Sequence, residues 1–142
     1  MVTLIRHAQT VLDRATPSHE WPLSEDGQAA ARALALSGPA LSSSEQKALD
    51  TARLAGLDAT PDDRLREATR PFVDDYEPAV ARYLAGEPLE GWEPREDVLA
   101  RMRAVLDGYH GIAVGHGLAI AIYAGLSFEE WRAMPFPAVI QY

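Results

Sequence analysis

An arginine–histidine pair, Arg6 and His7, follows directly on a short apolar run near the start of the chain. The run, residues 2–5, is rich in residues that favour strands and predicts a buried strand. In an open parallel sheet, the residues after a strand lie at the carboxyl edge, where such folds bind ligands. A histidine there can act as a nucleophile, and an adjacent arginine can hold a phosphoryl group through its planar guanidinium. The plainer alternative is a capping arginine beside a histidine that is merely hydrogen-bonded.

A second histidine, His116, follows a second apolar run, residues 112–114, which also predicts a buried strand. If the two strands are parallel neighbours, His7 and His116 meet at the same edge of the sheet. A helix is predicted over residues 118–124, and free N–H groups and the helix dipole at its start favour an anion. Gly117 leaves the backbone there open to close approach. The two histidines together predict an anion site that neither predicts alone.

Predicted helices and strands alternate along the chain, which is typical of a layered α/β domain. Helical periodicity and capping residues predict further helices over residues 24–37, 45–55, 76–84 and 98–109. Short strands are predicted at 40–43 and 138–140, the latter at a sheet edge, and residues 64–67 form either a short strand or a loop. We therefore expect one domain, residues 1–142, with three α/β/α layers, a mainly parallel sheet, helices on both faces and a small cap.

Composition excludes several classes of function. The chain has 142 residues and no cysteine, which excludes disulfides, thiolate zinc sites and cysteine nucleophiles. Its net charge of −8 argues against nucleic acid or an anionic membrane as the main partner. No apolar stretch approaches the roughly 20 residues of a membrane helix, and the start lacks a signal-peptide layout, so a cytoplasmic location is expected. Of the 13 basic residues, Lys47 is the only lysine.

Five short segments occur in an order that is more specific than any one of them. They are residues 6–10 (Arg-His-Ala-Gln-Thr), 23–27 (Leu-Ser-Glu-Asp-Gly), 43–52 with Lys-Ala and Thr-Ala, 65–67 (Leu-Arg-Glu) and 114–117 (Val-Gly-His-Gly). In these segments the chain resembles the histidine phosphatase superfamily, also called phosphoglycerate-mutase-like, over nearly its whole length.

The resemblance implies a metal-independent phosphomonoesterase without a cofactor, acting on a small phosphorylated metabolite. His7 would attack phosphorus and become a phosphohistidine. Glu67 would act as general acid toward the leaving oxygen and then as base for water. The remaining implied roles concern phosphoryl binding and transition-state charge, and fall on Arg6, Thr10, Lys47, His116 and Gly117.

Two features of the sequence leave alternatives open. Lys47 stands where the family has its second phosphate-binding arginine, and it provides a point charge without the bidentate fork. Its plainer interpretation is a solvated lysine on a helix. The Leu-Arg-Glu match around Glu67 is short, and Glu45, Asp74 and Asp75 are alternative acids.

Different functions follow if these assignments differ. A branch of the family that removes phosphate from protein phosphohistidine lacks the acid, because an imidazole leaving group needs less help than an alkoxide. Expected partners are therefore a small phosphorylated substrate or a phosphoprotein. Two further hypotheses are a phosphate-binding regulatory module without turnover and a two-histidine metal site. The sequence makes no prediction of oligomeric state.

Overall fold

The central sheet has five strands in the order β3-β2-β4-β1-β5 in the computed structural model, which describes all 142 residues. The strands are β1 (Thr3–Arg6), β2 (Ala40–Ser42), β3 (Thr60–Pro61), β4 (Ile112–Gly115) and β5 (Ala138–Gln141). Every neighbouring pair is parallel except β1 and β5, which are antiparallel. The predicted mainly parallel sheet and the predicted edge position of the last strand are both confirmed.

Six α-helices cover the two faces of the sheet. They are α1 (Glu25–Leu34), α2 (Gln46–Leu54), α3 (Tyr76–Leu84), α4 (Arg95–Leu106), α5 (Gly117–Ala124) and α6 (Phe128–Ala133). Because strand side chains alternate between faces, Leu4 packs with α3 to α6 in the larger core cluster, whereas Ile5 packs with α2 in the smaller one. Helix α1 contacts α2 on that second side. The fold is a three-layer α/β/α sandwich, as expected.

Helix α5 is the most deeply buried of these helices, with seven of its eight residues buried. Neither α5 nor any other helix combines the length and the hydropathy of a membrane span.

Several element boundaries differ from the predictions. Helix α1 ends at Leu34 rather than near residue 37, because Ala35 adopts a left-handed conformation and the amide of Leu36 donates to Ala55 instead. The two-residue strand β3 was not predicted, since a single threonine and a proline give almost no strand signal. Residues 64–67 are not a strand: a 3-10 turn, Asp63–Leu65, leads into a loop.

Helix α6 was also missed, although the sequence contains a signal for it. Ser127 caps the helix in a capping box with Glu130, and Ser-x-x-Glu is a recognised helix start. The helix has only six residues, too few for apolar periodicity to reveal it.

The pairing of β1 with β4 places the two histidines together. These parallel strands are adjacent, with Arg6 opposite Gly115, so the next residues, His7 and His116, leave the sheet at the same level. The backbone amide of His7 donates to the carbonyl of Gly115 at 3.0 Å, which extends the pairing one residue beyond the strands. The expected convergence of the two histidines is confirmed.

Candidate active site

A cleft of about 1360 Å³ opens at the carboxyl edge of the sheet, where β1, β2 and β4 end. The seven residues to which the family resemblance gives a role all line it: Arg6, His7, Thr10, Lys47, Glu67, His116 and Gly117. These residues come from separate segments of the chain, and the sheet topology brings them together.

The ring of His7 is fixed in one orientation by its own backbone. Its Nδ1 lies 2.7 Å from the carbonyl oxygen of Ala8, so Nδ1 carries the proton and donates it. The amide of Ala8 donates in turn to Thr51 Oγ1 at 3.0 Å, and Thr51 donates to the carbonyl of Lys47 at 2.7 Å, which ties the loop to α2. Nε2 of His7 therefore holds a free lone pair and has no protein partner.

His7 is only 7% exposed, and its surroundings keep the ring neutral. Burial is the largest influence and lowers the pKa of His7 well below its ordinary value; His116, Lys47 and Arg6 lower it further by charge. The hydrogen bond to Ala8 opposes these effects without reversing them. A buried, neutral imidazole with Nε2 free is the form of histidine that can attack phosphorus.

The guanidinium of Arg6 is anchored on one side and open on the other. It donates through Nη1 to the carbonyl of Met134 at 2.7 Å and lies 3.5 Å from the ring centre of Phe136. Burial lowers the pKa of Arg6 to about 10, so it remains a cation at neutral pH. Its buried Nε has no partner in the protein.

Gly117 provides the space that Arg6 occupies. A Cβ on Gly117 would lie 2.8 Å from Nε of Arg6, closer than such atoms approach. The need for glycine at this position is therefore explained by the packing of Arg6, and a direct role of Gly117 in substrate binding stays a prediction.

Lys47 lies in the first turn of α2 and is buried, with 7% exposure, rather than solvated. Its Nζ donates to the carbonyl of Ser18 at 3.1 Å and lies 3.8 Å from Oε1 of Glu45. Burial lowers the pKa of Lys47, while the charge of Glu45 opposes that shift. A buried ammonium at the cleft fits a role in anion binding better than the role of a surface lysine.

His116 is 1% exposed and has two very different ring nitrogens. Nε2 lies 2.8 Å from Oγ of Ser43 and 3.0 Å from Oε2 of Glu45. Nδ1 is buried and has no partner. One nitrogen is therefore held by the protein, and the other is left for a ligand.

Glu67 lies in the cleft, but both of its carboxylate oxygens are already acceptors. Oε1 accepts from the amides of Ala68 at 2.9 Å and Ala119 at 2.8 Å, and Oε2 accepts from the amide of Leu118 at 3.0 Å. The first-turn amides of α5 were expected to be free for a bound anion, but those of Leu118 and Ala119 are occupied by Glu67. A carboxylate is the side chain that a helix N-terminus favours.

Of the alternative acids, Asp74 faces away from the chemistry. Its side chain is 87% exposed and pairs with Arg14 at 3.3 Å at the mouth of the cleft. Asp75 is exposed just before α3 and does not line the cleft. Glu45 is different, because it is nearly enclosed and contacts both His116 and Lys47.

Arg70 lines the cleft, although nothing in the sequence fixes the direction of its side chain. Its guanidinium carbon lies 4.2 Å from the ring centre of Tyr76, and it forms no ion pair, whereas Arg14 and Arg66 pair with Asp74 and Glu93. Burial raises the pKa of Tyr76 to about 12, so the phenol stays neutral. No pattern in the sequence distinguishes Arg70 from the other arginines, since its position depends on the loop before α3.

Thr10 lies at the wall of the cleft, where its backbone forms an isolated antiparallel bridge with Leu23. Its hydroxyl makes no hydrogen bond within the protein, so a role in substrate binding stays a prediction.

The chain is similar to known proteins both in its sequence pattern and in its fold. The profile of the Histidine phosphatase superfamily (branch 1) matches residues 2–136. The protein TTHB049 from Thermus thermophilus is similar in structure, with a TM-score of 0.69 and 25% identity over 85% of this chain and 81% of that one. A mycobacterial glucosyl-3-phosphoglycerate phosphatase gives a TM-score of 0.66 and 25% identity over 94% and 83%.

A third similar structure, Mycobacterial hydrolase 1, gives a TM-score of 0.68 at 23% identity over 94% of this chain and 85% of that one, and shows the fold alone. No curated protein is significantly similar to the chain in sequence.

Proposed function

The chain belongs to the histidine phosphatase superfamily, whose members include phosphoric ester hydrolases, and we propose that it hydrolyses a phosphomonoester through a phosphohistidine on His7 without a metal ion. The observation that carries the proposal is the state of His7. The ring is neutral and buried, its Nδ1 donates to Ala8, and its Nε2 is without a protein partner in a cleft that Arg6 and Lys47 also line. A nucleophile in this state needs no further base to activate it.

The first step transfers the phosphoryl group to the enzyme. Nε2 of His7 forms a bond to phosphorus as the bond from phosphorus to the leaving oxygen breaks. Arg6, Lys47 and His116, whose side chains are nearly buried in the wall of the cleft, stabilise the charge on the phosphoryl oxygens. Glu67 enters this step protonated on Oε2, the oxygen that accepts a single amide, and gives that proton to the leaving oxygen, which departs as an alcohol.

The second step releases phosphate and restores His7. Glu67, now a carboxylate, takes a proton from water as that water attacks phosphorus on the opposite side from Nε2. The nitrogen–phosphorus bond breaks, and its electron pair returns to the ring. Inorganic phosphate leaves, and Glu67 is again protonated for the next substrate.

The substrate class in this proposal is a small phosphorylated metabolite. The open cleft holds aromatic side chains, among them Trp21 and Phe72, beside the unpaired cation Arg70. Such a lining suits a leaving group with both apolar and anionic parts. One similar structure is a phosphatase for a small phosphorylated metabolite, and at 25% identity it supports this class rather than that compound.

Hydrolysis of p-nitrophenyl phosphate in the presence of EDTA tests the proposal. Purified protein should release nitrophenol, and the H7A variant should release it at no more than ~0.1% of that rate, because the covalent route is gone. The proposal is wrong if the intact protein lacks activity, or if EDTA abolishes it. The first outcome would favour a binding module, and the second a metal site.

The engagement of Glu67 supports a second candidate, a protein phosphohistidine phosphatase. Both oxygens of this carboxylate already accept backbone amides, and an imidazole leaving group needs less protonation than an alkoxide. The open cleft would also admit a side chain presented on a protein surface. If this candidate is correct, a phosphohistidine-containing peptide is hydrolysed at a rate that the E67Q variant does not change.

A further inference from the structure

We infer that Glu45 is a positioning residue for His116, holding the imidazole protonated and turned so that Nδ1–H is presented to the phosphoryl group. The inference rests on the proposed function, because it concerns how His116 binds phosphate. It begins from a carboxylate in the cleft that the mechanism above does not use.

The contacts of Glu45 fix its position closely. Oε2 accepts from Nε2 of His116 at 3.0 Å and from the amide of Glu67 at 3.0 Å. The amide of Glu45 itself donates to Oγ of Ser43 at 3.2 Å, and Ser43 also contacts Nε2 of His116. The carboxylate is thus built into the start of α2 and the loop before α3, rather than free to swing.

In this arrangement the Nδ1 atom of His116 has no hydrogen-bond partner in the protein. Nε2 is engaged by Glu45 and Ser43, while the buried Nδ1 has no partner. The two nitrogens of an imidazole point in diverging directions, and both carry hydrogen only in the cation. A proton held at Nε2 by Glu45 therefore lets Nδ1 donate to an anion.

Apart from its carboxylate partner, His116 is surrounded by groups that can bear positive charge. His116 is almost completely buried and stands at the positive end of the α5 dipole. Arg6 and His7 come from the end of β1, and Lys47 from α2, all within the same cleft. The other nearby carboxylate, Glu67, is engaged by the first-turn amides of α5, which leaves Glu45 as the direct partner.

Glu45 is also ionised at neutral pH. Burial opposes its ionisation, but the hydrogen bond and charge of His116, the amide of Glu67 and the charge of Lys47 outweigh burial and lower the pKa of Glu45 well below its usual range. It is therefore a carboxylate at neutral pH and well below it.

Titration of the His116 ring by NMR tests the inference without any turnover. The Cε1–H resonance is assigned by its loss in H116N and followed with pH in the wild type and in E45Q. Glutamine keeps an oxygen for the Glu67 amide but has no charge for the ring. We expect the midpoint in E45Q to fall by about one pH unit, the size of shift a close charge partner gives.

Activity supplies the second readout. The alkaline limb of kcat/KM should move in the same direction in E45Q, giving a loss of up to about tenfold above the wild-type midpoint and little loss below the E45Q midpoint. Because Lys47 also loses its proton at alkaline pH, the NMR titration is needed to show that the change in the activity profile comes from the His116 ring. D74N is the matched control: it removes one negative charge at the cleft mouth without touching His116, and both readouts should stay at wild-type values.

Two results would overturn the inference. One is a midpoint of the His116 ring titration that is the same in E45Q as in the wild type, provided that E45Q has the same unfolding transition as the wild type. The other is tighter binding of inorganic phosphate by E45Q at all pH values, which would make Glu45 a competitor of phosphate. E45D, which keeps the charge with shorter reach, should give a smaller shift than E45Q. If the wild type bound phosphate but did not hydrolyse esters, the proposed function would fail while the ring titration still decided the role of Glu45.

Discussion

The imidazole rings of His7 and His116 lie 5.2 Å apart, centre to centre, with their planes inclined at 61°. This relationship follows from topology, because each ring comes one residue after one of two adjacent parallel strands. The same edge receives Arg6 from β1 and Lys47 from α2, so four groups that can bear positive charge surround one end of the cleft. A chain with a net charge of −8 has thus concentrated cations where a phosphoryl group would bind.

Replacing Lys47 should show whether its ammonium binds phosphate. We expect K47M, which keeps most of the length, to lose ~10²-fold in kcat/KM, the effect of removing one charged donor from a transition-state site. K47R should keep most of the activity, because a guanidinium restores the charge and adds the bidentate fork. Steady-state kinetics with p-nitrophenyl phosphate measures both.

R66M is the control for Lys47, since Arg66 is a cleft cation already paired with Glu93. If K47M and R66M lose activity equally, Lys47 contributes only to the general field of the cleft.

Comparing substrates with different leaving groups tests whether Glu67 acts as the general acid. Nitrophenolate leaves without protonation, whereas an alkoxide needs a proton. E67Q should therefore lose ~10²-fold or more on an alkyl phosphate and less than ~10-fold on p-nitrophenyl phosphate. Equal losses on both substrates would mean that Glu67 acts only through its bonds to the amides of α5.

The buried neutral His7 should make stability depend on pH. Its pKa is lowered in the folded state by burial and by nearby cations, so below about pH 6.5 the unfolded chain binds a proton that the folded chain does not. The free energy of unfolding therefore decreases as pH falls from about 6.5 toward the lowered pKa of His7. Urea unfolding at several pH values should show this decrease in the wild type and a smaller one in H7Q.

The comparison of wild type with H7Q should be made above about pH 5, because the lowered pKa of Glu45 affects stability only at more acidic pH. The stabilisation from that lowered pKa is lost only as pH falls below the ordinary glutamate range, about 4.3. An H7Q variant with the same pH dependence as the wild type would show that His7 is not neutral in the folded protein.

Gly27 should be required for the contact between α1 and the loop after His7. A Cβ at this position would lie 2.1 Å from the carbonyl oxygen of Gln9. In an open helix, glycine to alanine stabilises by about 0.5–1 kcal/mol, but G27A should instead cost about 1–3 kcal/mol through steric overlap. Chemical denaturation measures the sign directly, and A29G at an exposed position of the same helix serves as the comparison.

The sequence predicted the centre of the site because strand ends are predictable. Two apolar runs that each end in a histidine need only be adjacent and parallel for His7 and His116 to meet. The N-cap of α1 at Ser24 was also predictable, since its side chain accepts from the amide of Gly27 as such caps do. Features that depend on local sequence pattern and on sheet topology could therefore be predicted from the sequence.

The contacts of the carboxylates were not predictable. Glu67 reaches the first turn of α5, and Glu45 reaches His116, across more than 50 residues of chain in each case. These contacts depend on the path of the loop before α3 and on side-chain reach, neither of which leaves a periodic signal. For the same reason Arg70 could not be told from the other arginines.

Detection of the covalent intermediate tests the proposed role of His7 most directly. The protein is mixed with an alkyl or aryl phosphate, denatured within the first turnovers at alkaline pH, where phosphohistidine survives, and mapped by peptide mass spectrometry. We expect one added phosphoryl group on His7, lost in H7A and increased in H116N if breakdown is slowed. A phosphoryl group on another residue, or active enzyme that hydrolyses substrate with no phosphorylated peptide under any quench condition, would contradict it.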